Sequence, residues 1–181
     1  MANTTPLQYQ REAVKIFDEV GLIKTFLKDP LRNHLLRLIV KDENILSKPP
    51  VTFINIPGIV VEKIAFATKI QSQPIPPSGN IGHVWQSDIE ITLVCPENVK
   101  VTYPSGTALN GAGEVLNALY WVIYSMFSDR ENKTYYSATD TTFGWDENAP
   151  IDIHYLNGGY MGVPDLWAIV LTFRFQFEGE R

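Results

Sequence analysis

The most restrictive feature of the sequence is a strict alternation of side chains in the segment DLWAIVLTFRFQFEGE, residues 165–180. Every second residue there is large and apolar: Trp167, Ile169, Leu171, Phe173, Phe175 and Phe177. Because successive side chains of a β-strand point to opposite faces, these residues share one face. The other face is apolar at first and becomes polar from Arg174 onward. Such a strand extends roughly 40 Å, well beyond the usual ~5–6 residues, and we expect it to dominate its sheet.

A regular helical stripe predicts the main helix. In residues 109–127, apolar side chains recur at intervals of three, four and seven: Leu109, Ala112, Leu116, Leu119, Tyr120, Ile123 and Phe127. This spacing places them along one side of an α-helix. Gly111 and Gly113 near its start are poor helix formers, but they permit close packing on a sheet. We expect the stripe to cover Leu171 and its neighbours and so to form the core.

The beginning of the chain is predicted to be helical. A helix capped by Thr5 is expected to end at Gly21, because glycine readily adopts the left-handed conformation of a helix end. A second helical stretch starts at Leu22 and restarts at Pro30, with Asp29 as its cap. The apolar residues of that last segment fall on one face and are expected to be buried: Leu31, Leu35, Leu38 and Ile39.

Strand patterns fill most of the remaining sequence. Residues 71–83 contain three prolines and two glycines and are predicted to form a long loop. Because most strands follow one another without a crossover helix, we predict an α+β fold, in which helices pack on a mostly antiparallel or mixed sheet. No repeat or linker divides residues 1–181, so we interpret them as one domain. The predicted strands before the long one are 51–56, 60–70, 84–95, 135–136 and 151–155.

Composition and charge disfavour several classes of protein. The chain has 181 residues, 45% of them hydrophobic and 19% charged, as expected of a folded domain. Its formal net charge is −5 and it has no run of Lys or Arg, whereas specific nucleic-acid binding depends on neutralising phosphates. The sequence shows no signal-peptide pattern and no stretch apolar enough for a membrane span. We therefore expect a cytoplasmic protein that binds neither nucleic acid specifically nor membranes.

Candidate catalytic and metal-ligating residues are few and scattered. Asp152 and His154 share one face of a predicted strand, but two potential ligands do not make a metal site, and we interpret them as a surface pair. The single cysteine, Cys95, has no charged helper nearby in sequence and is expected to be inert. The glycines around residue 111 lack a nucleotide-loop pattern, and residues 140–147 lack calcium-loop spacing. We predict no catalytic, cofactor-binding or metal-binding residue and no enzymatic activity.

The overall pattern resembles the tail-terminator (tail-completion) proteins of tailed bacteriophages and the related neck proteins. The features that carry the resemblance are the order of elements, the size, the acidic balance, the proline-rich segment 71–83, the central helix LNGAGEVLNALYWVIYSMF and the final strand DLWAIVLTFRFQFEGE. The resemblance implies a non-enzymatic virion protein, assembled in the host cytoplasm, that forms a homohexameric ring without a cofactor. Such a ring caps the tail tube and joins the tail to the head–neck connector, which would be its partners.

Two sets of residues are predicted to act in such a ring. Phe175 and Phe177 continue the apolar ridge beyond the point where the opposite face becomes polar, so we expect them to be exposed at an interface. Arg174 lies beside them as a guard against uncontrolled strand pairing. DNA must pass the ring without binding to it, which favours an acidic lumen. The candidates for its wall crowd one polar loop: Asp140, Asp146 and Glu147.

Two alternatives share these features. Another oligomeric phage component, such as a head–tail adaptor or a tube or baseplate protein, fits the same pattern. The second alternative is a small enzyme or ligand-binding domain with a pocket under the long sheet, where residues distant in the sequence would form the site. Genes for tail-tube or capsid proteins beside the gene for this chain would favour a phage component over an enzyme or ligand-binding domain.

Overall fold

The structure is a computed structural model that describes residues 18–49, 57–63, 68–75, 80–128, 134–136, 142–145 and 150–180. Within these ranges the chain forms two α-helices, ten strands and three short 3-10 helices. The helices and strands are α1 (Glu19–Lys28), β1 (Ile45–Leu46), β2 (Gly58–Lys63), β3 (Thr68–Ile75), β4 (Asn80–Pro96), β5 (Lys100–Thr102), β6 (Ala108–Asn110), α2 (Gly111–Ser128), β7 (Thr134–Tyr136), β8 (Thr142–Trp145), β9 (Asp152–Leu156) and β10 (Leu166–Glu180). The 3-10 helices are Leu36–Leu38, Asp42–Asn44 and Tyr160–Gly162.

The centre of the sheet is a long antiparallel pair formed by β4 and β10. All 15 residues of β10 pair with β4, from Leu166 opposite Pro96 to Glu180 opposite Gly82. Strands β2 and β3 lie along the other edge of β4, and β9 and β8 lie along the other edge of β10. β1 adds to β2 in parallel, and β7 adds to β8. The described strands thus form an eight-stranded mixed sheet, which confirms the predicted α+β fold and its long strand.

The core lies between one face of this sheet and the helices. Leu171 and Phe173 of β10 are at most 1% exposed and belong to the same buried cluster as Leu119 of α2. The ring of Phe127, in the last turn of α2, lies 4.8 Å from the ring of Phe173 and 5.6 Å from that of Phe175. The predicted packing of the strand's apolar face against the helix stripe is therefore confirmed.

The sequence predicts that a helix ends at Gly21, but Gly21 lies in the first turn of α1, which runs from Glu19 to Lys28. The Asp18 carboxylate caps the helix and accepts a hydrogen bond from the Gly21 N–H at 2.9 Å. A Cβ on Gly21 would lie 2.4 Å from that carboxylate, so the glycine makes room for the cap. The predicted helix start at Thr5 lies outside the described residues.

The segment after α1 forms turns and a 3-10 helix instead of the predicted helix with a buried leucine face. The Asp29 carboxylate accepts a hydrogen bond from the Leu31 N–H at 3.0 Å, which closes a turn. Leu31 is 88% exposed, and Leu35 and Leu38 are also exposed. Ile39 is buried, as expected. The turn therefore leaves three leucines uncovered that a continuous helix would have placed against the core.

Much of the predicted loop 71–83 is β-structure. Strand β3 continues to Ile75, strand β4 begins at Asn80, and the two strands pair as an antiparallel hairpin. Among the described strands β3 pairs with β4 alone. Pro74 is tolerated there because an edge strand does not need every N–H for its ladder. Proline content was therefore a poor guide to loop structure at this edge of the sheet.

Smaller differences concern the boundaries of elements. The predicted strand 60–70 is divided between β2 and β3, and the predicted strand 51–56 lies outside the described residues. Helix α2 begins at Gly111, with Leu109 in the preceding strand β6. Gly113 is exposed and a Cβ there would meet nothing within 4 Å, so it does not serve close packing on the sheet.

Candidate functional site

One side of helix α2 carries three aromatic side chains outside the tightly packed core. Trp121 is 55% exposed, and Tyr124 is exposed beside it. The rings of Tyr120 and Tyr124 are stacked at 6.0 Å. The ring of Trp121 is edge-on to both, with its centre 5.3 Å from that of Tyr120 and 5.7 Å from that of Tyr124. Such contacts restrict the positions of the rings, so α2 presents an ordered aromatic surface to solvent.

Strands β9 and β10 form the other wall of a cleft beside these rings. Tyr155 of β9 is 62% exposed and faces the cleft, and Trp167 and Ile169 of β10 also line it. The cleft has a volume of about 400 Å³, and its described lining is aromatic, aliphatic or amide, without a charged side chain. We call it the aromatic cleft and define it by the side chains that form its walls: Asn117, Tyr120, Trp121, Tyr155, Asn157, Trp167 and Ile169.

A compact loop between β9 and β10 holds one end of the aromatic cleft. Four of its residues have positive φ: Gly158 (+89°), Gly159 (+80°), Met161 (+54°) and Gly162 (+74°). The Gly159 N–H donates to the carbonyl oxygens of Val163 at 3.0 Å and Pro164 at 3.1 Å. A Cβ on Gly158 would lie 2.6 Å from the Pro164 carbonyl oxygen and 3.8 Å from Nε1 of Trp167. A side chain at position 158 would therefore meet the Pro164 carbonyl and lie next to a side chain of the cleft.

The titratable groups in the described lining of the cleft are phenols. Burial, and after it the nearby phenols of Tyr155 and Tyr124, raises the pKa of Tyr120. Its hydroxyl therefore stays neutral near pH 7, where a general acid or base needs a pKa close to the working pH. With its apolar walls, the cleft is suited to binding an apolar group.

A second apolar surface lies on the opposite side of α2. Leu35 and Leu38 line a shallow depression together with Val122 of the helix. At 3.6 residues per turn, Val122 lies about 160° around the helix axis from Tyr120, which faces the aromatic cleft. We call the two exposed leucines that line this depression the leucine surface: Leu35 and Leu38.

The predicted interface residues lie elsewhere and are buried in the core of the chain. Phe175 is 0% exposed and Phe177 is 1% exposed. The prediction that they form an exposed ridge is wrong, because the end of α2 reaches this part of the strand and places Phe127 against Phe175. Arg174, on the other face, is exposed and pairs with Asp88 of β4 at 2.8 Å. That hydrogen bond lowers the pKa of Asp88, and a role of Arg174 at an interface stays a prediction.

The other residues whose side chains could act in catalysis or bind a metal do not form a reactive site in the described part of the chain. His154 Nε2 lies 2.9 Å from Asp152 Oδ2, and both side chains are exposed, which is the expected surface pair. Cys95 is buried, and burial raises its pKa to about 12, so the thiol is not a nucleophile near pH 7. No group of three or more His, Cys, Asp or Glu residues in the described ranges is placed to hold a metal ion. None of the described helices is long and apolar enough to cross a membrane.

Two acidic residues meet on the face of the sheet away from the helices. Glu62 of β2 and Glu90 of β4 are direct cross-strand partners. Burial, and after it the Glu90 carboxylate, raises the pKa of Glu62. Tyr160 lies close by, and its pKa is raised by burial and then by the two carboxylates.

The residues predicted for a lumen wall lie outside the described ranges: Asp140, Asp146 and Glu147.

Sequence reasoning missed both the aromatic cleft and the leucine surface, although weak signals for each exist. Trp121 and Tyr124 fall beside the apolar stripe of α2, and bulky aromatic residues beyond a core stripe favour a second contact surface. The pair Asp29-Pro30 is typical of a turn as well as of a helix start, and in this chain it forms the turn that exposes Leu31.

Comparisons with known proteins give a structural likeness. No protein-family model matches the chain, and no curated protein matches it. Among solved structures, the chain is similar to a chain of the "virion of native gene transfer agent (GTA) particle", with 14% sequence identity and a TM-score of 0.45. The alignment covers 90% of this chain and 99% of that chain.

Proposed function

We propose that this protein is a non-enzymatic structural component of a phage-like particle, where copies of it form a closed ring that caps the tail tube and joins the tail to the head, as tail terminators do. The observation that carries this proposal is the presence of two different apolar surfaces on opposite sides of α2, the aromatic cleft and the leucine surface. The resemblance of the sequence pattern to tail terminators supplies the place of the ring in the particle.

Two different surfaces favour a ring over a two-fold dimer. In a two-fold dimer one patch meets the same patch on the partner, so a single self-complementary surface is enough. In a head-to-tail contact, one surface meets a different surface of the next copy, and the chain of copies closes when the rotation allows it. Grouped exposed apolar residues mark interaction sites. Two such groups on opposite sides of one helix are what each member of a ring needs.

A ligand-binding domain is the second candidate, because the cleft volume of about 400 Å³ falls within the range of small-molecule pockets, ~300–1,000 Å³. Mass spectrometry of the protein before and after denaturation tests it. A stoichiometric small molecule that is released on denaturation would favour this candidate over the ring.

The proposed ring has an acidic lumen. A net charge of −5 on each chain, repeated around a ring, repels DNA over about a Debye length, ~8 Å at physiological salt. Repulsion keeps the duplex from binding to the wall as it passes. The candidates for that wall stay a prediction: Asp140, Asp146 and Glu147. In an electron-microscopic reconstruction of the ring, a lumen dominated by Lys and Arg would contradict this part of the proposal.

Light scattering and electron microscopy of the purified protein, alone and bound to tail tubes, test the ring. We expect closed rings, with six copies as the resemblance implies. A protein that stays monomeric when bound to the assembled tail would overturn the proposal. Gold-labelled antibodies on intact particles test the position: we expect label at the junction of head and tail. Label along the tube or at the baseplate end would favour the other phage components.

A further inference from the structure

We propose that Asn157 is a site of spontaneous deamidation, which replaces a neutral amide in the wall of the aromatic cleft by a carboxylate. The sequence Leu-Asn-Gly occurs twice in the chain, at residues 109–111 and at residues 156–158. An asparagine before glycine is prone to this reaction, because glycine has no Cβ to shield its own backbone nitrogen. The reaction needs no partner, so it occurs whether or not copies of the chain form a ring.

The chemistry requires only the chain and water. The Gly158 nitrogen gives up its proton to water and attacks Cγ of Asn157, so that a C–N bond forms and a succinimide ring closes. The Cγ–Nδ2 bond of Asn157 breaks, and Nδ2 takes up a proton and leaves as ammonia. Water then adds to either carbonyl carbon of the ring and breaks its bond to nitrogen, which yields aspartate or isoaspartate. One water is consumed, one ammonia is released, and nothing is oxidised or reduced.

The reacting atoms of residues 157 and 158 are not engaged in the fold. Asn157 is exposed, lines the aromatic cleft and lies just after the last residue of β9. Within the described ranges, neither its side-chain amide nor the Gly158 N–H forms a hydrogen bond. The loop is held by the next amide instead, since the Gly159 N–H donates to the carbonyl oxygens of Val163 and Pro164. The attacking nitrogen is therefore free while the loop around it stays folded.

The other Leu-Asn-Gly sequence provides a protected counterpart. Gly111 has a φ of +81°, close to the +89° of Gly158, so the two glycines are similar in this angle. The Gly111 N–H, however, donates to the Val99 carbonyl at 2.7 Å at the start of α2. The N–H of Asn110 donates to the Glu114 carboxylate at 2.6 Å. The Gly111 nitrogen must leave its hydrogen bond before it can attack, so the fold slows deamidation of Asn110.

Deamidation changes the aromatic cleft and the loop beside it. The described lining of the cleft carries no charged side chain, and an ionised carboxylate is costly to cover with an apolar group. Isoaspartate also adds one methylene to the backbone before Gly158. A Cβ on Gly158 would lie 2.6 Å from the Pro164 carbonyl oxygen, so the loop has little space for a longer backbone. We therefore expect the isoaspartate product to be less stable than the aspartate product.

Mass spectrometry of tryptic peptides tests the proposal. The purified chain is incubated at mildly alkaline pH, once folded and once unfolded in guanidinium chloride, and a sample without incubation gives the background. Arg130 and Lys133 lie between the two asparagines, so trypsin places Asn110 and Asn157 on different peptides. Fragmentation of each peptide locates the mass increase that results when an amide NH₂ is replaced by OH. Asn110 is the matched control, because both sites experience the same solution.

In the folded chain, we expect Asn157 to convert at least about tenfold faster than Asn110, the factor that corresponds to about 1.4 kcal/mol. In guanidinium chloride the two rates should converge, because both tripeptides are then free. Asn157→Gln should abolish the conversion at position 157 and leave that of Asn110 unchanged, since a longer side chain closes a less favourable ring. Equal rates in the folded chain, or an Asn157 that converts only when unfolded, would overturn the proposal. A difference that persists in guanidinium chloride would also overturn it, because the local sequence and not the fold would then cause it.

Thermal unfolding of the separated products tests the argument from the Pro164 carbonyl. Anion exchange separates the products from the unaltered chain, and the Asn157→Asp variant supplies the pure aspartate form. We expect the isoaspartate form to unfold at a Tm at least about 2 °C below that of Asn157→Asp. Equal Tm values would show that the loop accepts the longer backbone and would overturn this part of the proposal.

Discussion

Replacing Gly158 by alanine probes how the loop between β9 and β10 holds the end of the aromatic cleft. Gly158 has a φ of +89°, and a Cβ there would lie 2.6 Å from the Pro164 carbonyl oxygen. Gly106 has the same φ of +89°, but a Cβ there would meet nothing within 4 Å. The two substitutions therefore share the cost of a left-handed alanine and differ in the contact with Pro164.

The magnitude follows from these two contributions. A left-handed alanine costs about 1–2 kcal/mol, because its Cβ approaches the following carbonyl oxygen. Alanine also makes the unfolded chain less flexible, which offsets about 0.4–1 kcal/mol of that cost. Gly106→Ala should then lower the free energy of unfolding by about 1 kcal/mol. In Gly158→Ala the carbonyl must also move from 2.6 Å to ordinary contact beyond 3.4 Å. Overpacking of this kind adds about 1–3 kcal/mol, for a total of about 2–4 kcal/mol.

Urea unfolding followed by circular dichroism measures both free energies, and thermal unfolding provides a check. For a domain of this size each kcal/mol corresponds to about 2–4 °C in Tm, so Gly158→Ala should lower Tm by about 5–15 °C and Gly106→Ala by about 2–4 °C. Equal losses in the two variants would refute the argument from the Pro164 contact. No loss in either would refute the argument from positive φ as well.

Three further predictions concern the core, the thiol and a carboxyl group. Leu171→Ala should lower the free energy of unfolding by about 2–5 kcal/mol, because Leu171 is 1% exposed in the packed core; a loss below 1 kcal/mol in urea unfolding would contradict the core assignment. Cys95 should react with a thiol reagent at pH 7–8 in urea but not in the folded protein, since its pKa is raised to about 12; prompt reaction of the folded chain would contradict this. The raised pKa of Glu62 means that the folded state binds more protons than the unfolded state, so stability falls as pH rises from the ordinary value of a glutamate through the raised one. Glu62→Gln should remove that fall in pH-dependent unfolding, and an unchanged pH profile would show that Glu62 does not cause it.

Two of the long regular elements could be predicted because each repeats one period over many residues. The alternation around Leu171 has a period of two and predicts β10, and the stripe through Leu119 has a helical period and predicts α2. The mixed sheet then follows from the order of the strands. A single period extended over several turns or several residue pairs leaves few competing structures.

Short-range signals were less reliable, because the groups around a residue decide which of several compatible structures it adopts. Glycine at position 21 is compatible with a helix end, but here it lies in the first turn of α1 and makes space for the capping carboxylate of Asp18. Proline at position 74 is compatible with a loop, but here it lies in an edge strand that does not need its N–H. In both cases the same residue type serves two structures, and the sequence alone does not distinguish them.

The location of the exposed apolar surfaces could not be predicted, because periodicity indicates which residues share a face and not what covers that face. Phe175 follows the same alternation as Leu171, and it is buried because α2, with 18 residues, is long enough to place Phe127 over it. Leu31 has the spacing of a buried helical face, but the hydrogen bond to Asp29 diverts the chain into a turn and leaves it in solvent. In the proposed ring, the apolar residues at the contacts between copies would follow the same sequence patterns as those of the core. Burial in the folded chain distinguishes core residues from contact residues. In the proposed ring, we therefore expect the next copy to cover the apolar residues that one copy leaves exposed.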